Sequence, residues 1–548
     1  MNRARRGLVG RVSAVLAGVA LAAAALATGP AGPAAAAVAQ GTGTGYLHTD
    51  GSRIVDSTGA EVRLTGINWF GMETDNKTFH GLWSGVTWKD QLDHMAQLGF
   101  NTLRIPYAGD ALRSGAKATG INDNTNPDLV GLSPLEILDK VIARAGQLGM
   151  RVILDRHRPS AAGQTPLWYT STVSEASIIA DWQMLAKRYA GNPTVIGADL
   201  FNEPHAEGTE PNSTGACWGC GDVARDWQLA AQRMGNAIHA VNANWLVIVE
   251  GVSCLSGGTA NTWDSIPDDP TACSWWGGNL AGVRDHPVKL TTPNKLVYSA
   301  HDYGISVYDH QAWFDTTANP TFPANLPDVW DHYWGFIDKE NIAPVLIGEF
   351  GSTLQDPRDV SWLKALVSYI STNGMSFTYW AWNPNSGDTG GLVGDDWSTV
   401  NQQKYSILKP ALIPPVATVG TDPGTDPGTD PGTDPGTDPG TGTGTGSCTA
   451  AVTIVNSWPG GYQGSVTVTN KATTAVNPWQ LRFTVPDGVK IANGWNGTFS
   501  QSGSTVTVAA PSHATSLAAG ASATVGFVAS GSSSPAPSAV TLGGVACS

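Results

Sequence analysis

Two glutamates stand where apolar segments of the sequence end, and both could take part in catalysis. Glu203 follows Asn202 in "NEP", after the apolar run "TVIGADLF", and Glu349 lies in "GEF", after "APVLI". A carboxyl group beside a buried apolar strand is costly to keep there for structural reasons alone. Two such groups facing one cleft can cleave a glycosidic bond, because one donates a proton to the leaving oxygen while the other, ionised, attacks the sugar or activates water.

Eight apolar runs of strand length must position these residues. They are "VRLTGINWF", "FNTLRIP", "MRVILDRH", "TVIGADLFNEP", "NWLVIVEG", "NKLVYSAHDY", "APVLIGEFG" and "MSFTYWAWN", and helical patterns lie between most of them. The clearest helix begins after Ser133, with Pro134 in its first turn, Glu136 completing a capping box and Gly149 ending it. Eight strand–helix units over about 370 residues predict a (β/α)8 barrel with long loops. The alternative is a doubly wound open sheet, but no glycine-rich phosphate loop follows the first strand.

The ends of the predicted strands gather charged and aromatic residues. In a barrel the active site lies where the strands end. The residues found there are Arg104, His157, Asn202, Glu203, Glu250, His301, Tyr303, Glu349, Trp380 and Trp382. Neighbouring groups must push the pKa values of the two catalytic carboxyls apart. Arg104 and Tyr303 could hold Glu349 ionised, and Asn202 could position a sugar hydroxyl near Glu203.

Each of these residues also has a purely structural interpretation. A lone glutamate at a strand end is usually solvated, and Arg104 could belong to a surface salt bridge. His157 and His301 could be hydrogen-bonded core histidines. Their coincidence at one rim favours a catalytic site, with Glu203 on the fourth strand and Glu349 on the seventh.

The 548 residues are too many for one ordinary core, and the chain divides at a low-complexity segment. Five copies of Thr-Asp-Pro-Gly run from Thr421 to Gly440, and such a sequence cannot fill a core. We therefore predict a barrel domain over 45–415, a linker over 416–446 and a small domain over 447–548. The small domain contains alternating runs such as "GSVTVTN", "QLRFTV" and "STVTVAA", which predict an antiparallel β-sandwich.

Composition and the first residues indicate where the protein works. With 31 basic and 45 acidic residues, the formal charge of -14 argues against nucleic acid as a partner. Residues 1–39 have the features of a signal peptide: four arginines near the start, an apolar stretch and cleavage after Ala39. Either general or twin-arginine export is compatible with them. No later stretch is long and apolar enough to span a membrane, so we expect a secreted, extracellular monomer that binds no membrane in its mature form.

Six cysteines suit an oxidising location. Local pairing, the simplest of the possible connectivities, gives three disulfides: Cys217–Cys220, Cys254–Cys273 and Cys448–Cys547. The pair in "CWGC" could instead be half of a zinc site or a redox motif, but no second such pair exists. We predict no metal and no cofactor.

Seven motifs in order resemble glycoside hydrolase family five. They are "GINWFG", "LRIPY", "ILDRHRP", "LFNEPH", "YSAHDY", "IGEFG" and "WAWNP", and they span most of the large domain. The resemblance is closest to secreted actinobacterial endo-β-1,4-glucanases and implies a barrel that retains anomeric configuration. It implies that Glu203 is the acid/base and Glu349 the nucleophile. The positions that match the family's supporting residues are Arg104, His157, Asn202, His301, Tyr303 and Trp380.

The small domain resembles the family-two carbohydrate-binding modules of bacterial cellulases. In "SWPGGYQG" and "NGWNGTFSQSG", Trp458 and Trp495 match positions where such modules expose tryptophan to cellulose, whereas Trp479 is expected in the core. The alternative is that all three are core residues. His513 stands about where a third exposed tryptophan belongs, and Tyr462 is the alternative third member of the platform.

Together these features predict a retaining endoglucanase that acts on cellulose or another β-1,4-glucan. A β-mannanase or xyloglucanase on the same barrel is a second enzymatic interpretation, because a few cleft residues set the sugar preference. A polysaccharide-binding protein with an inactive barrel is a third, and the intact pair of Glu203 and Glu349 argues against it.

Overall fold

The computed structural model describes residues 39, 41–259, 273–416, 448–458, 460–511, 515–532, 534 and 536–547, with the backbone alone for 455–458 and 495. The predicted signal peptide and linker lie outside the described residues, except for Ala39 and Val416 at their edges. His513 and the side chains of Trp458 and Trp495 lie outside them too. The chain divides into two compact units, residues 1–423 and 424–548.

The first unit contains a closed barrel of eight parallel strands that follow one another in chain order. The strands are Thr65–Asn68, Thr102–Ala108, Arg151–Arg158, Val195–Asp199, Leu246–Glu250, Leu296–Tyr303, Val345–Gly351 and Ser376–Tyr379. Each coincides with one of the eight apolar runs, and only the second and third strands end beyond theirs, by two residues and one residue, so the predicted barrel is confirmed. The eighth strand pairs with the first, which leaves no open sheet edge.

Helices connect the barrel strands. The α-helices are Trp88–Leu98, Pro134–Gln147, Glu175–Arg188, Trp227–His239, Leu326–Trp330, Phe336–Lys339, Pro357–Thr372 and Gln402–Leu408. The 3-10 turns are Gly109–Leu112, Pro127–Leu129, Ala281–Arg284, Ala312–Phe314 and Lys409–Ala411, and Asp331–Gly335 is a π-helical turn. The capping box predicted for the second helix is present: the Ser133 side chain accepts the N–H of Glu136, and the Glu136 side chain accepts the N–H of Ser133. Among the helices that the structure describes, none has the length and apolarity to cross a membrane.

A short hairpin packs against the amino-terminal halves of the barrel strands. Its two strands, His48–Asp50 and Arg53–Val55, pair antiparallel. Leu47 and Ile54 form an apolar cluster with residues of five barrel strands, namely Ile153, Ile196, Leu246, Ile248, Val297 and Leu346. This end of the barrel is therefore filled with apolar side chains, and the polar site lies at the other end.

The second unit is a sandwich of two antiparallel sheets, as the alternating runs predict. One sheet has the order Cys448–Trp458, Gly461–Asn470, Ser522–Ser530 and Lys490–Trp495. The other has the order Thr498–Ser502, Thr505–Ala509, Gln480–Thr484, Ser538–Leu542 and Val545–Ala546. Trp479 is buried in the core between them, which confirms its predicted position.

Tyr462 also lies in the core of the sandwich, so it cannot complete a cellulose platform and that alternative is wrong. Its side chain is fully buried, and its ring packs edge-on against Phe527 with 5.9 Å between ring centroids. The alternating strand Gly461–Asn470 points every second residue inward, and Tyr462 is on the same face as Val466 and Val468.

The six described cysteines form the three disulfides that local pairing predicts: Cys217–Cys220, Cys254–Cys273 and Cys448–Cys547. The last of these joins the first strand of the sandwich to its final residues. Both cysteines of "CWGC" are therefore consumed in a disulfide, and the zinc interpretation of that motif is wrong.

Candidate active site

A cleft of about 510 Å³ opens at the carboxyl ends of the barrel strands. Glu203 and Glu349 both line it. Three atoms lie within 4.8 Å of one another: one carboxylate oxygen of each glutamate and a ring nitrogen of His301. This spacing fits a pair in which one carboxyl attacks the anomeric carbon and the other protonates the leaving oxygen, since an inverting pair needs room for a water.

The carboxyl of Glu349 is held at both oxygens. Arg104 donates from Nη1 to Oε1 at 2.6 Å, and the hydroxyl of Tyr303 donates to Oε2 at 2.5 Å. Glu349 is 2% exposed, so these two donors define its orientation. The structure thus brings Arg104 and Tyr303 together around Glu349, as the sequence analysis predicted.

Arg104 is a fully buried hub and not a surface residue. All five of its N–H groups have acceptors within 3.0 Å, at or just beyond the ends of other strands. Nε donates to Asp199, Nη1 to Asn68 and Glu349, and Nη2 to Asn202 and Glu250. Asp155 lies 3.2 Å from Nη2. Because the guanidinium is planar and fully bonded, it fixes the relative positions of the strand ends that surround it.

Three buried acids lie below the cleft: Asp155 and Asp199, which the sequence analysis did not identify, and Glu250, which it placed at the rim but which lies beneath it. Burial raises the pKa of Asp155 well above its ordinary value, that of Asp199 to about 7 and that of Glu250 to about 8. In each case the charge of Arg104 works in the opposite direction. Asp155 and Asp199 stand inside apolar strand runs, "RVILD" and "VIGAD", and an acid in such a run was the available signal.

Glu203 lies just beyond the fourth strand with a left-handed backbone, φ +52°. His301 donates from Nδ1 to its Oε1 at 2.9 Å, and Gln164 donates to its Oε2 at 2.6 Å. Burial raises the pKa of Glu203, but these two hydrogen bonds and the His301 charge outweigh burial and hold it below its ordinary value. Gln164 comes from the loop after the third strand, and no sequence signal pointed to it.

The pKa of His301 moves in the opposite direction. Burial lowers it, but the carboxylates of Glu250 and Glu349 outweigh burial and raise it well above the ordinary value. Nε2 of His301 lies 3.3 Å from Glu250. These opposite shifts place the shared proton of the His301–Glu203 pair on His301.

His157 and Trp380 form one wall of the cleft. Their rings stack with 5.4 Å between centroids and 5° between planes, and Phe70 stacks on the other face of Trp380. His157 Nδ1 donates to Asp155 at 2.7 Å, and burial lowers the pKa of His157 to about 3, so it is neutral. The sequence correctly placed both residues at the rim.

Asn202 and Trp382 differ in how they relate to the cleft. Asn202 accepts from Arg104 through Oδ1, and its buried Nδ2 has no hydrogen-bond partner among the described residues. Trp382 is fully buried and donates its indole N–H to Gln91 at 3.0 Å. It therefore packs away from the cleft, unlike Trp380, which lines it.

Further aromatic residues line the cleft. Trp275, Trp276 and Tyr308 come from the loops after the fifth and sixth strands. The Trp276 ring stacks on His205 with 3.7 Å between centroids. Such faces suit sugar rings, which are apolar above and below their plane.

Three sets of side chains in the site have metal-ligand spacing. They are Asp155, His157 and Glu349; Glu203, His301 and Glu349; and Asp155, Asp199 and Glu250. The carboxyls in these sets accept hydrogen bonds from Arg104, His157, His301 and Tyr303, and we assign all three sets to that network. The expectation that no metal is needed stays a prediction.

Comparison with known families agrees with this geometry. Residues 55–386 match the model of the cellulase family, glycosyl hydrolase family 5. The chain belongs to this family. Residues 448–547 match the cellulose binding domain, so the cellulase barrel is joined to a module of that kind.

The family assignment agrees with individual relatives. The chain is 50% identical over 375 residues to an endoglucanase of Paenibacillus polymyxa, covering 68% of this chain and 88% of that protein. It is 41% identical over 503 residues to the major extracellular endoglucanase of Xanthomonas campestris pv. campestris, covering 90% and 96%. A solved endocellulase from Pyrococcus horikoshii, crystallised with cellotetraose, superimposes with a TM-score of 0.62 at 43% identity, covering 68% of this chain and all of that one.

Proposed function

We propose that this member of the cellulase family is a secreted, retaining endo-β-1,4-glucanase, in which Glu349 is the nucleophile and Glu203 the acid/base. The observation that carries the proposal is the placement of the two carboxyls in one cleft, with oxygens within 4.8 Å, and the two donors on Glu349. Retention is the stereochemical course of this family and suits that spacing.

In the first step, the ionised carboxyl of Glu349 attacks the anomeric carbon and the bond to the leaving oxygen breaks. Arg104 and Tyr303 each donate to one oxygen of the Glu349 carboxyl and so orient it for attack. The leaving oxygen takes a proton from Glu203. That proton is available from His301, whose Nδ1 lies 2.9 Å from Oε1 of Glu203.

In the second step, a water molecule releases the sugar from Glu349. Glu203, now ionised, accepts the proton of the attacking water. His301 and Gln164 keep its carboxyl directed at the same point in both steps. Asn202 contributes its unpartnered Nδ2 as a donor to a sugar hydroxyl, and Trp380 with His157 supplies the wall against which the sugar ring rests.

The second unit directs the barrel to insoluble substrate. The match to the cellulose binding domain supports cellulose as the surface that it binds. Trp458 and Trp495 are the proposed contact residues. The signal peptide over 1–39 and a monomeric, extracellular protein complete the proposal.

Reducing-sugar release from carboxymethylcellulose, mannan and xyloglucan, measured in parallel, tests the proposal. We expect the highest rate on carboxymethylcellulose. A preference for mannan or xyloglucan would overturn the substrate assignment. Absence of hydrolysis on all three substrates would overturn the enzymatic one.

A further inference from the structure

Glu250 lies next to Glu203, and its side chain contacts the Glu203 backbone. It ends the fifth barrel strand, Leu246–Glu250, and is fully buried. Its Oε2 accepts the backbone N–H of Glu203 at 2.7 Å. The carbonyl oxygen of Glu250 accepts the indole N–H of Trp227 at 2.9 Å. Because Trp227 occupies the backbone carbonyl of Glu250, the Glu250 side chain is the group that accepts the Glu203 N–H.

This contact lies just past the point where the chain after the fourth strand stops pairing with the fifth strand. The N–H of Leu200 still donates to Ile248 of the fifth strand at 3.1 Å, but the N–H of Asn202 turns to Arg156 of the third strand. The next residue, Glu203, has φ +52°. A left-handed conformation is strained for a residue with a side chain and persists only where its surroundings hold it.

Gly277 packs closely against this contact. A Cβ atom at Gly277 would lie 2.6 Å from Oε2 of Glu250 and 3.3 Å from Cγ of both Glu203 and His301. Gly277 also has φ +71°, where a side chain is disfavoured. The space around the Glu250–Glu203 hydrogen bond is therefore filled, and an added methyl group would press on the acceptor.

We propose that Glu250 is a positioning residue for the acid/base: by accepting the N–H of Glu203, it holds the left-handed turn that aims the Glu203 carboxyl into the cleft. The inference rests on the proposed role of Glu203. The charged and titratable groups that face Glu250 are Arg104 at 3.0 Å, His301 at 3.3 Å, and Asp155 and Asp199, each with a carboxylate oxygen within 4.8 Å.

A neutral group can perform this role. Burial raises the pKa of Glu250 to about 8. An uncharged carbonyl oxygen can accept the Glu203 N–H as a carboxylate oxygen does. A carboxamide has the same acceptor and nearly the same shape.

The test compares Glu250→Met, which removes the acceptor, with Glu250→Gln, which keeps it. kcat/KM is measured on cellohexaose, whose leaving group needs a proton, and on 2,4-dinitrophenyl cellobioside, whose leaving group does not. We expect kcat/KM of Glu250→Met to fall about 10²-fold on cellohexaose and less than about fivefold on the dinitrophenyl substrate. In the first step, which kcat/KM reports, Glu203 contributes only acid assistance to the leaving group. Glu250→Gln should retain wild-type selectivity between the substrates.

Asp199→Leu and Asp199→Asn are the matched controls, since Asp199 is an equally buried acid on Arg104 at 2.9 Å. These two substitutions should lower kcat/KM on both substrates to a similar extent. If Glu250→Met, like Asp199→Leu, lowered kcat/KM equally on both substrates, the inference would be overturned, because Glu250 would then act only through Arg104. Glu250→Gln failing as badly as Glu250→Met would overturn it too, since the charge and not the acceptor would matter.

Gly277→Ala reaches the same hydrogen bond without removing any carboxyl, and it decides the matter if Glu250→Met does not fold. We expect the same selective loss on cellohexaose, and an unchanged rate on both substrates would contradict the inference. Active sites are titrated with 2,4-dinitrophenyl 2-deoxy-2-fluorocellobioside, so that all rates refer to intact sites. Failure of the wild-type chain to hydrolyse cellohexaose would instead refute the proposed function.

Discussion

Oε2 of Glu349 accepts a hydrogen bond of 2.5 Å from the hydroxyl of Tyr303, a residue that is only 7% exposed. Burial raises the pKa of Tyr303 well above its ordinary value, and the carboxylate of Glu349 raises it further. The hydroxyl therefore stays protonated and acts as a donor throughout the working pH range of the site. One donor on each oxygen orients the carboxylate for attack.

Tyr303→Phe should lower kcat about 10-fold or more, because a hydrogen bond to a charged group contributes about 1.5–3 kcal/mol. Hydrolysis of carboxymethylcellulose measures the loss. Tyr298→Phe is the control, since Tyr298 is a buried tyrosine that accepts the Val288 N–H at 2.9 Å outside the cleft. Equal losses in both variants would mean that the Tyr303 hydroxyl serves stability alone.

Glu349→Gln should abolish turnover, by about 10³-fold or more, because the amide cannot form the glycosyl–enzyme bond. Binding of the full chain to microcrystalline cellulose should remain, since the second unit does not use Glu349. Mass spectrometry of the wild-type chain treated with a 2-deoxy-2-fluoroglycoside should place the label on Glu349. A label on another residue would refute its role as nucleophile.

Glu203→Ala should reduce hydrolysis of polysaccharide by about 10²–10⁴-fold. The loss in kcat/KM on an aryl glycoside with an acidic leaving group should be far smaller, because such a group departs with little help from an acid. Similar losses in kcat/KM on both substrates would show that Glu203 is not the acid.

Glu73→Gln should change how stability depends on pH. Glu73 is 2% exposed, and burial raises its pKa from 4.5 to about 7. Between these pH values the folded state binds more protons than the unfolded state, so the contribution of Glu73 to stability falls as pH rises. Relative to wild type, the variant should gain up to about 1.4 kcal/mol for each pH unit from pH 5 to pH 7.

Urea denaturation followed by tryptophan fluorescence at the two pH values measures this gain. Glu340→Gln is the control, because Glu340 is exposed and its ion pair with Arg284 lies at the surface. A gain of the same size in both variants would contradict the assignment to Glu73.

His513→Trp should tighten binding of the isolated sandwich to microcrystalline cellulose. An added aromatic contact contributes about 0.5–1.5 kcal/mol beyond burial, which corresponds to about a 2- to 12-fold change in affinity. Trp458→Ala or Trp495→Ala should release the module. A binding isotherm for each variant measures these effects, and no gain from His513→Trp would refute a platform position at 513.

The sequence alone was enough to identify the barrel, the sandwich and the two strand ends that carry the proposed catalytic pair. These features follow from local patterns: eight apolar runs of strand length, a capping box at Ser133 and alternation over the last hundred residues. The carboxyl ends of parallel strands must meet at one rim, so Glu203 and Glu349 could be brought together without coordinates.

Only the tertiary structure decided which strand-end residues face the cleft and which lie beneath it. Trp380 and Trp382 are two residues apart, yet one lines the cleft and the other packs on Gln91. Glu250 has the same sequence signature as Glu203, a glutamate at the end of an apolar run, but it is fully buried against the Glu203 backbone. Strand register and barrel closure set these depths, and both depend on pairings between segments distant in the chain.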